Sequence, residues 1–296
     1  KGIAQASRST GRHMISTVLE HASVGGTLTA LQQQGWEVDL LDIQRDGTID
    51  LEQLGDLLRK DTILVSVCAV DSELGTVQPI RQITEILKDF PNCRLHVDAT
   101  QAIGKTELVM DGVDTMSIAP HKFYGLNGSG LLLKKSSVII EPQIHGGSST
   151  TLYRSGTPAL ALAVSIEKAL QLTLTQQEER IRYVRQLNEY LKTALLHYPS
   201  VRINSPEGAV PHILNLSVQG LKGTVFQRVL SERGVCVSVK SACSAEGTPS
   251  KAVFAVSGDR KNALSSWRVS LSHLTTREEL DEFLQVFDQC YKELVP

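Results

Sequence analysis

The sequence predicts an α/β fold: a mostly parallel sheet covered on both faces, followed by a smaller α+β domain. Two observations predict it. Short apolar runs alternate with segments of helical spacing through the first 133 positions, the signature of strand–helix–strand units. One of these runs, Thr62 to Val70, is continuous and valine-rich, as in a strand buried on both faces. After Pro199 the texture changes to short strands and two helices. The boundary falls at 176/177, giving a large domain over 1–176 and a small C-terminal domain over 177–296.

In chain order, Lys1-Gly2-Ile3-Ala4 reads as the middle of a helix, which suggests a fragment lacking an N-terminal part. His13 to Ser16 is a short strand leading to a loop at Glu20-His21. Val24 to Gln34 has helical spacing and stops at Gly35. Trp36 to Leu41 alternates apolar and acidic residues, as a strand does. Asp50 to Lys60 is a helix with Asp50 as N-cap. Pro79 to Phe90 is a helix with proline in its first turn. Arg94 to Val97, Thr115 to Ile118 and Gly130 to Leu133 complete the strands of the large domain. Pro158 to His197 is helical with a charged middle, as in one long helix or a helix pair. Beyond it, Val201–Asn204, Ile213–Val218, Val235–Val239 and Trp267–Leu271 read as strands, and Gly223–Arg233 and Thr276–Leu294 as helices.

Composition narrows the function classes. The formal net charge of -2 and the absence of a basic block give no footprint for nucleic acid or an acidic membrane surface. No apolar run approaches the roughly 20 residues of a membrane span. Five scattered cysteines without a CxxC pair, and dispersed histidines, argue against a disulfide framework and a metal site. They fit a reducing, cytoplasmic compartment. Cys68 and Cys236 lie in apolar runs and are expected to be buried.

In a parallel sheet, ligands sit beyond the carboxyl ends of the strands. Asp98 and Lys122 both stand just past such ends. An amine and a carboxylate delivered together suit pyridoxal phosphate (PLP), whose aldehyde condenses with a lysine and whose ring nitrogen needs an acidic partner. A surface lysine and a helix-capping aspartate are the plainer alternative. His21 could stack on a ring or be a partly exposed loop histidine. Arg154-Ser155-Gly156-Thr157, ahead of a helix opening at Pro158, could hold an anion or only cap that helix. Arg268, in a strand otherwise apolar, wants a carboxylate from a ligand or from an internal pair. Cys243 stands among small polar residues near Lys240, in what reads as an exposed, mobile loop running to Ser250, where a thiol is placed to react.

Taken together the chain resembles the cysteine desulfurase branch of the class V aminotransferases, which are fold-type I PLP enzymes. The matching stretches, in family order, are Glu20-His21, His96 to Gln101, His121 to Gly125, Gly146-Gly147, Arg154 to Thr157, Ser241-Ala242-Cys243 and Arg268 to Leu271. The resemblance implies a seven-stranded type of large-domain sheet, incomplete at its N-terminus. It implies that Lys122 makes the covalent link to PLP, Asp98 pairs with the ring nitrogen, Gln101 bonds the phenolic oxygen and His21 stacks on the ring. It further implies that His121 and, from the other subunit of a homodimer, Thr157 touch the phosphate. By the same resemblance, Arg268 is expected to hold the substrate carboxylate, and Cys243 to take the sulfur of L-cysteine as a persulfide and pass it to an acceptor protein, often for iron–sulfur cluster assembly.

The chain departs from that family at several positions. Ala119 stands where a serine or threonine usually offers the phosphate a hydroxyl. Asp71-Ser72 replaces a pair of asparagines or Ser-Asn, so Ser72 takes the place of a ring-contacting amide. Ser272-His273 replaces a common Gly-Arg pair. With the N-terminal phosphate grip also missing, PLP is expected to be held weakly or lost. Selenocysteine lyase and a catalytically degenerate scaffold are the alternative functions.

Overall fold

The computed structural model describes residues 1–147, 151–240 and 247–295. Its chain divides into two compact units. The first comprises Lys1–Asp42, Ile49–Ala69 and Gln78–Thr175; the second comprises Ile43–Thr48, Val70–Val77 and Gln176–Pro296.

The first unit is built on a six-stranded sheet. Its strands are β1 (His13–Thr17), β2 (Glu37–Leu41), β3 (Thr62–Cys68), β4 (Arg94–Asp98), β5 (Thr115–Ile118) and β6 (Leu131–Lys134), in the order β2-β1-β3-β4-β5-β6. All neighbours are parallel except β6, which runs antiparallel to β5. All seven residues of β3 are buried, which explains the unbroken apolar run: a central parallel strand has no solvent face to mark with polar residues.

Helices α1 (Gly2–Ala6), α2 (Ala22–Gln32), α3 (Leu51–Leu57), α4 (Ile80–Leu87) and α5 (Leu160–Thr175) belong to this unit. Local chemistry sets their limits. Asp50 caps α3 by accepting from the N–H groups of Glu52 and Gln53, each at 3.0 Å. After α2 the chain turns at Gly35, whose φ of +84° only glycine adopts without strain, and the Trp36 N–H returns to the Leu31 carbonyl. Pro79 is the N-cap of α4 and not a residue of its first turn.

The second unit holds a three-stranded antiparallel sheet of β7 (Val201–Ile203), β8 (Ile213–Val218) and β9 (Ser266–Ser270), in that order. Helices α6 (Gln177–Leu195), α7 (Gly223–Ser231), α8 (Lys251–Ser257), α9 (Arg260–Ser265) and α10 (Arg277–Leu294) accompany it. Its core is aromatic. Trp267, fully buried on β9, stacks on Phe226 of α7 at 5.4 Å, and Phe287 of α10 packs against both rings. A reciprocal capping box fixes the start of α10: Thr276 accepts from the Glu279 N–H, and the Glu279 carboxylate accepts from the Thr276 N–H.

Three expectations are corrected here. Val235–Val239 forms no strand; it pairs with β9 only through a bridge between Ser238 and Arg268. Its valines are apolar because they pack on the unit's core, and not because they join a ladder. Cys236 in that segment is exposed, while Val235, Val237 and Val239 on either side pack on the core. Ser250 is fully buried and caps α8, so the stretch taken for one exposed loop ends in an ordered helix start. Among the described residues, no helix is long and apolar enough to cross a membrane, and no group of three or more His, Cys, Asp or Glu could hold a metal ion.

Candidate active site

Register places the chemistry of the first unit. β4 and β5 pair with Asp98 opposite Ser117, so Asp98 ends one strand where its neighbour also ends. The pairing runs on past Asp98, with the Ala99 N–H donating to the Ser117 carbonyl at 2.9 Å. β5 then gives way to a single 3-10 turn, Pro120–Lys122, that puts His121 and Lys122 at the surface. Among the described residues the Lys122 amine has no hydrogen-bond or ion-pair partner. Two residues on, Tyr124 has φ +72°, the only non-glycine residue with positive φ among those described. Backbone strain of this kind collects at functional sites. Gly125 follows of necessity, because a Cβ there would lie 2.7 Å from that of Pro120.

Asp98 does not cap a helix. Its Oδ1 accepts from the Thr100 N–H at 2.9 Å and shapes the turns that carry Gln101. The Gln101 carbonyl oxygen accepts from Lys105 at 2.6 Å, which leaves the amide nitrogen of that side chain to donate elsewhere. His21 is the N-cap of α2: its Nδ1 accepts from the Ser23 N–H at 3.2 Å, and its ring is exposed. Thr157 is exposed, three residues ahead of α5. Cys243 lies outside the described residues.

Two carboxyls that the motif reading left without a role stand out. The first is Glu20, beside His21. Its Oε1 accepts from the Cys68 N–H at 2.7 Å and from the Thr17 hydroxyl at 3.1 Å, tying the loop after β1 to the end of β3. Its Oε2 is buried with no partner among the described residues. Burial, reinforced by the nearby charge of Asp98, pushes the Glu20 carboxyl up to about 8. The folded state therefore holds a proton between the ordinary glutamate range and pH 8 that the unfolded chain has lost. Stability falls as pH rises through that window. Glu20→Gln, which keeps the shape without the charge, is expected to flatten the decline by about 1–3 kcal/mol; urea unfolding at pH 5 and pH 8 measures it. His96 on β4 is likewise neutral, its imidazole driven down to about 4 by burial while Nδ1 pairs with Thr115 and Nε2 with Ser117.

The second is Asp71, in the second unit, on the loop 70–77. It is 1% exposed, and its Oδ2 accepts from the N–H groups of Glu73 and Leu74. Burial raises its carboxyl to about 7. The same loop meets Arg268 of β9: a guanidinium Nη1–H donates to the Ser72 carbonyl, and Arg268 Nε is buried with no partner among the described residues. Ser72 thus contributes its backbone to Arg268, and its neighbours Asp71 and Glu73 contribute charge. No local pattern marks a buried carboxyl, which is why neither acid was assigned; an acid beside a motif residue at a strand end is the one usable signal.

Comparison with known proteins decides the family. The family model described as "Aminotransferase class-V" matches residues 1–283. The chain belongs to the class V aminotransferases. Within that family it is 37% identical, over 99% of its length and 77% of the relative's, to a NifS/IcsS protein homolog of Lactobacillus delbrueckii subsp. bulgaricus. It is 33% identical to the cysteine desulfurase IscS of Dictyoglomus turgidum, over 99% and 76% of the two chains. A solved NifS-like protein superposes with a TM-score of 0.92 at 31% identity, covering 99% of this chain and 78% of that one. A structure described as SspA in complex with cysteine matches at a TM-score of 0.79 and 28% identity, covering 93% and 78%.

Class V aminotransferases are in general PLP-dependent, and the donor set of the first unit fits that group. It presents an unpaired amine on Lys122 at one strand end and, at the adjoining end, a carboxylate on Asp98 that makes one turn-shaping bond. It also presents an uncommitted amide nitrogen on Gln101. The weak point is the phosphate: Ala119 opens the lysine turn with no side-chain hydroxyl.

Proposed function

We propose that this class V aminotransferase is a PLP-dependent cysteine desulfurase, which converts L-cysteine to L-alanine and passes the sulfur on. The observation that supports this most directly is the unpartnered Lys122 amine beyond β5, next to the Asp98 end of β4. Bound PLP supplies an electron sink for charge at the substrate α-carbon. Asp98 would keep the ring nitrogen protonated, Gln101 would donate to the phenolic oxygen, and the exposed His21 ring would stack on the cofactor. His121, with Thr157 of a second copy of the chain, would hold the phosphate, and Ser72 would take the place of the ring-contacting amide. Without a hydroxyl at position 119, that phosphate would have fewer partners, and retention of the cofactor would be weak.

Arg268 receives the substrate carboxylate through its guanidinium, whose Nε–H has no partner among the described residues. Lys122 Nζ takes up and returns the protons that the α-carbon and β-carbon exchange. The Cys243 thiolate attacks the substrate sulfur. The S–S bond forms as the C–S bond breaks, and the electron pair left on carbon is protonated to the methyl group of alanine. A persulfide remains on Cys243 for an acceptor thiol, often one serving iron–sulfur cluster assembly. Cysteine is the favoured substrate because the relatives carry the name cysteine desulfurase and a structural neighbour is described in complex with cysteine.

The test is alanine formation from L-cysteine by the PLP-saturated chain, with a dithiol present. Cys243→Ala is expected to bring alanine formation to background and to leave no persulfide detectable by mass. An unchanged rate in that variant would remove Cys243 from the mechanism, and faster turnover of L-selenocysteine in both proteins would redirect the reading to a selenocysteine lyase.

A further inference from the structure

We propose that Asp71 is a positioning residue whose carboxyl, together with the loop it organises, sets how tightly Arg268 takes a substrate carboxylate and makes that affinity fall as pH rises. The proposal builds on the reading of Arg268 as the carboxylate seat.

The geometry lies within one unit. Asp71 closes a tight loop by accepting from the Glu73 and Leu74 N–H groups through one oxygen, Oδ2. The Asp71 N–H donates to the Thr76 carbonyl and the Gly75 N–H to the Asp71 carbonyl. Gly75, at φ +79°, packs against Val210 and Ile213, so the loop is pinned from behind. Glu73 is held from two sides: its carbonyl accepts from the Asn215 amide, and its carboxylate accepts from the Ser250 hydroxyl. This braced loop offers the Ser72 carbonyl to Arg268 and fixes one edge of the guanidinium, while Nε is buried with no partner among the described residues.

The charges that bear on Asp71 are those of Glu73 and Arg268. Glu73 sits on its own loop, Arg268 on β9, and His212 on the segment that packs behind Gly75; Lys251 follows Ser250 on α8. With Asp71 protonated, Arg268 and Glu73 balance. With Asp71 ionised, the trio of Asp71, Glu73 and Arg268 carries a net negative charge and opposes an incoming carboxylate, while the exposed Lys251 is screened by solvent. Burial places that change near neutral pH. Linkage makes the coupling reciprocal: a carboxylate on Arg268 raises the proton affinity of Asp71 by the factor that the Asp71 proton raises carboxylate affinity. An asparagine, the residue the family commonly carries in this stretch, keeps a turn-capping oxygen and cannot ionise.

The experiment measures L-alanine binding to the PLP-saturated full chain by calorimetry at half-unit steps from pH 6 to pH 8.5. Parallel titrations use Asp71→Asn, Asp71→Ser and Arg268→Gln. Affinity of the wild-type chain is expected to fall by about fivefold over that range. The fall is expected to vanish in both Asp71 variants, each of which keeps an oxygen to close the loop, and binding is expected to be lost in Arg268→Gln. Parallel pH profiles in the wild-type chain and the Asp71 variants, or no L-alanine binding to the wild-type chain, would overturn the proposal. Turnover of L-cysteine is measured separately. Its absence alongside a pH-dependent alanine affinity would sink the desulfurase reading and leave the Asp71 assignment standing.

Discussion

Lys122→Ala is expected to lower alanine formation from L-cysteine by about 10²–10⁴-fold or more while leaving the fold intact. The size of the effect follows from the two tasks proposed for one amine: linking the cofactor and moving protons at the substrate carbons. The intact fold follows from its surroundings. Lys122 is exposed, on a 3-10 turn held by backbone bonds from Lys122 to Ala119, from Phe123 to Pro120 and from Gly125 to Pro120. None of those bonds uses the side chain, and surface substitutions of this kind stay within about 0.5 kcal/mol. Mass measurement after borohydride reduction checks the link directly, because only a lysine-bound cofactor adds permanent mass. A Lys122→Ala protein that still gains that mass, or still turns over at the wild-type rate, would move the chemistry to another amine.

Trp267→Ala carries the largest expected loss of stability, about 3–5 kcal/mol against the 5–15 kcal/mol that typically holds a domain together. Trp267 is fully buried between Phe226 and the α10 rings Phe283 and Phe287. Its removal opens a cavity lined by three aromatic faces, which cannot collapse without displacing α7 or α10 from β9. Trp267→Phe should cost much less. The indole N–H has no hydrogen-bond partner among the described residues, so phenylalanine leaves no acceptor stranded. Urea unfolding followed by far-UV circular dichroism compares the two; equal midpoints for the alanine and phenylalanine variants would show that the aromatic stack adds little.

What could be read in the sequence depended on how far each signal extends along the chain. The strands of the first unit were legible because burial on both faces writes itself into consecutive residues, as in Thr62–Cys68. Lys122 and Asp98 were legible because strand ends are where such sheets place ligands. Helices α8 and α9 were not, since seven and six residues are too few to show a helical period. They exist by virtue of caps: Ser250 accepts from Val253, and Asp259 from Lys261 and Asn262. The Val235–Val239 run misled for the opposite reason, as apolar texture reports contact with a core and not the ladder that makes a strand. Glu20 and Asp71 were opaque because the perturbation of a carboxyl comes from what folds over it. Asp71 is pressed by Glu73 and relieved by Arg268, 197 positions later in the chain (268 against 71).

The uneven exposure of the cysteines has a practical corollary for anyone counting sulfur on this protein. Cys68, Cys93 and Cys290 are buried, and burial drives the Cys93 thiol up to about 12, so alkylating reagents will pass over them in the folded chain. Cys236 is exposed and lies seven positions before Cys243 (243 against 236). A thiol titration without denaturant will therefore register Cys236 whether or not sulfur has been transferred, and that bystander can also capture sulfane sulfur released into solution. Labelling on a Cys236→Ser background removes both artefacts.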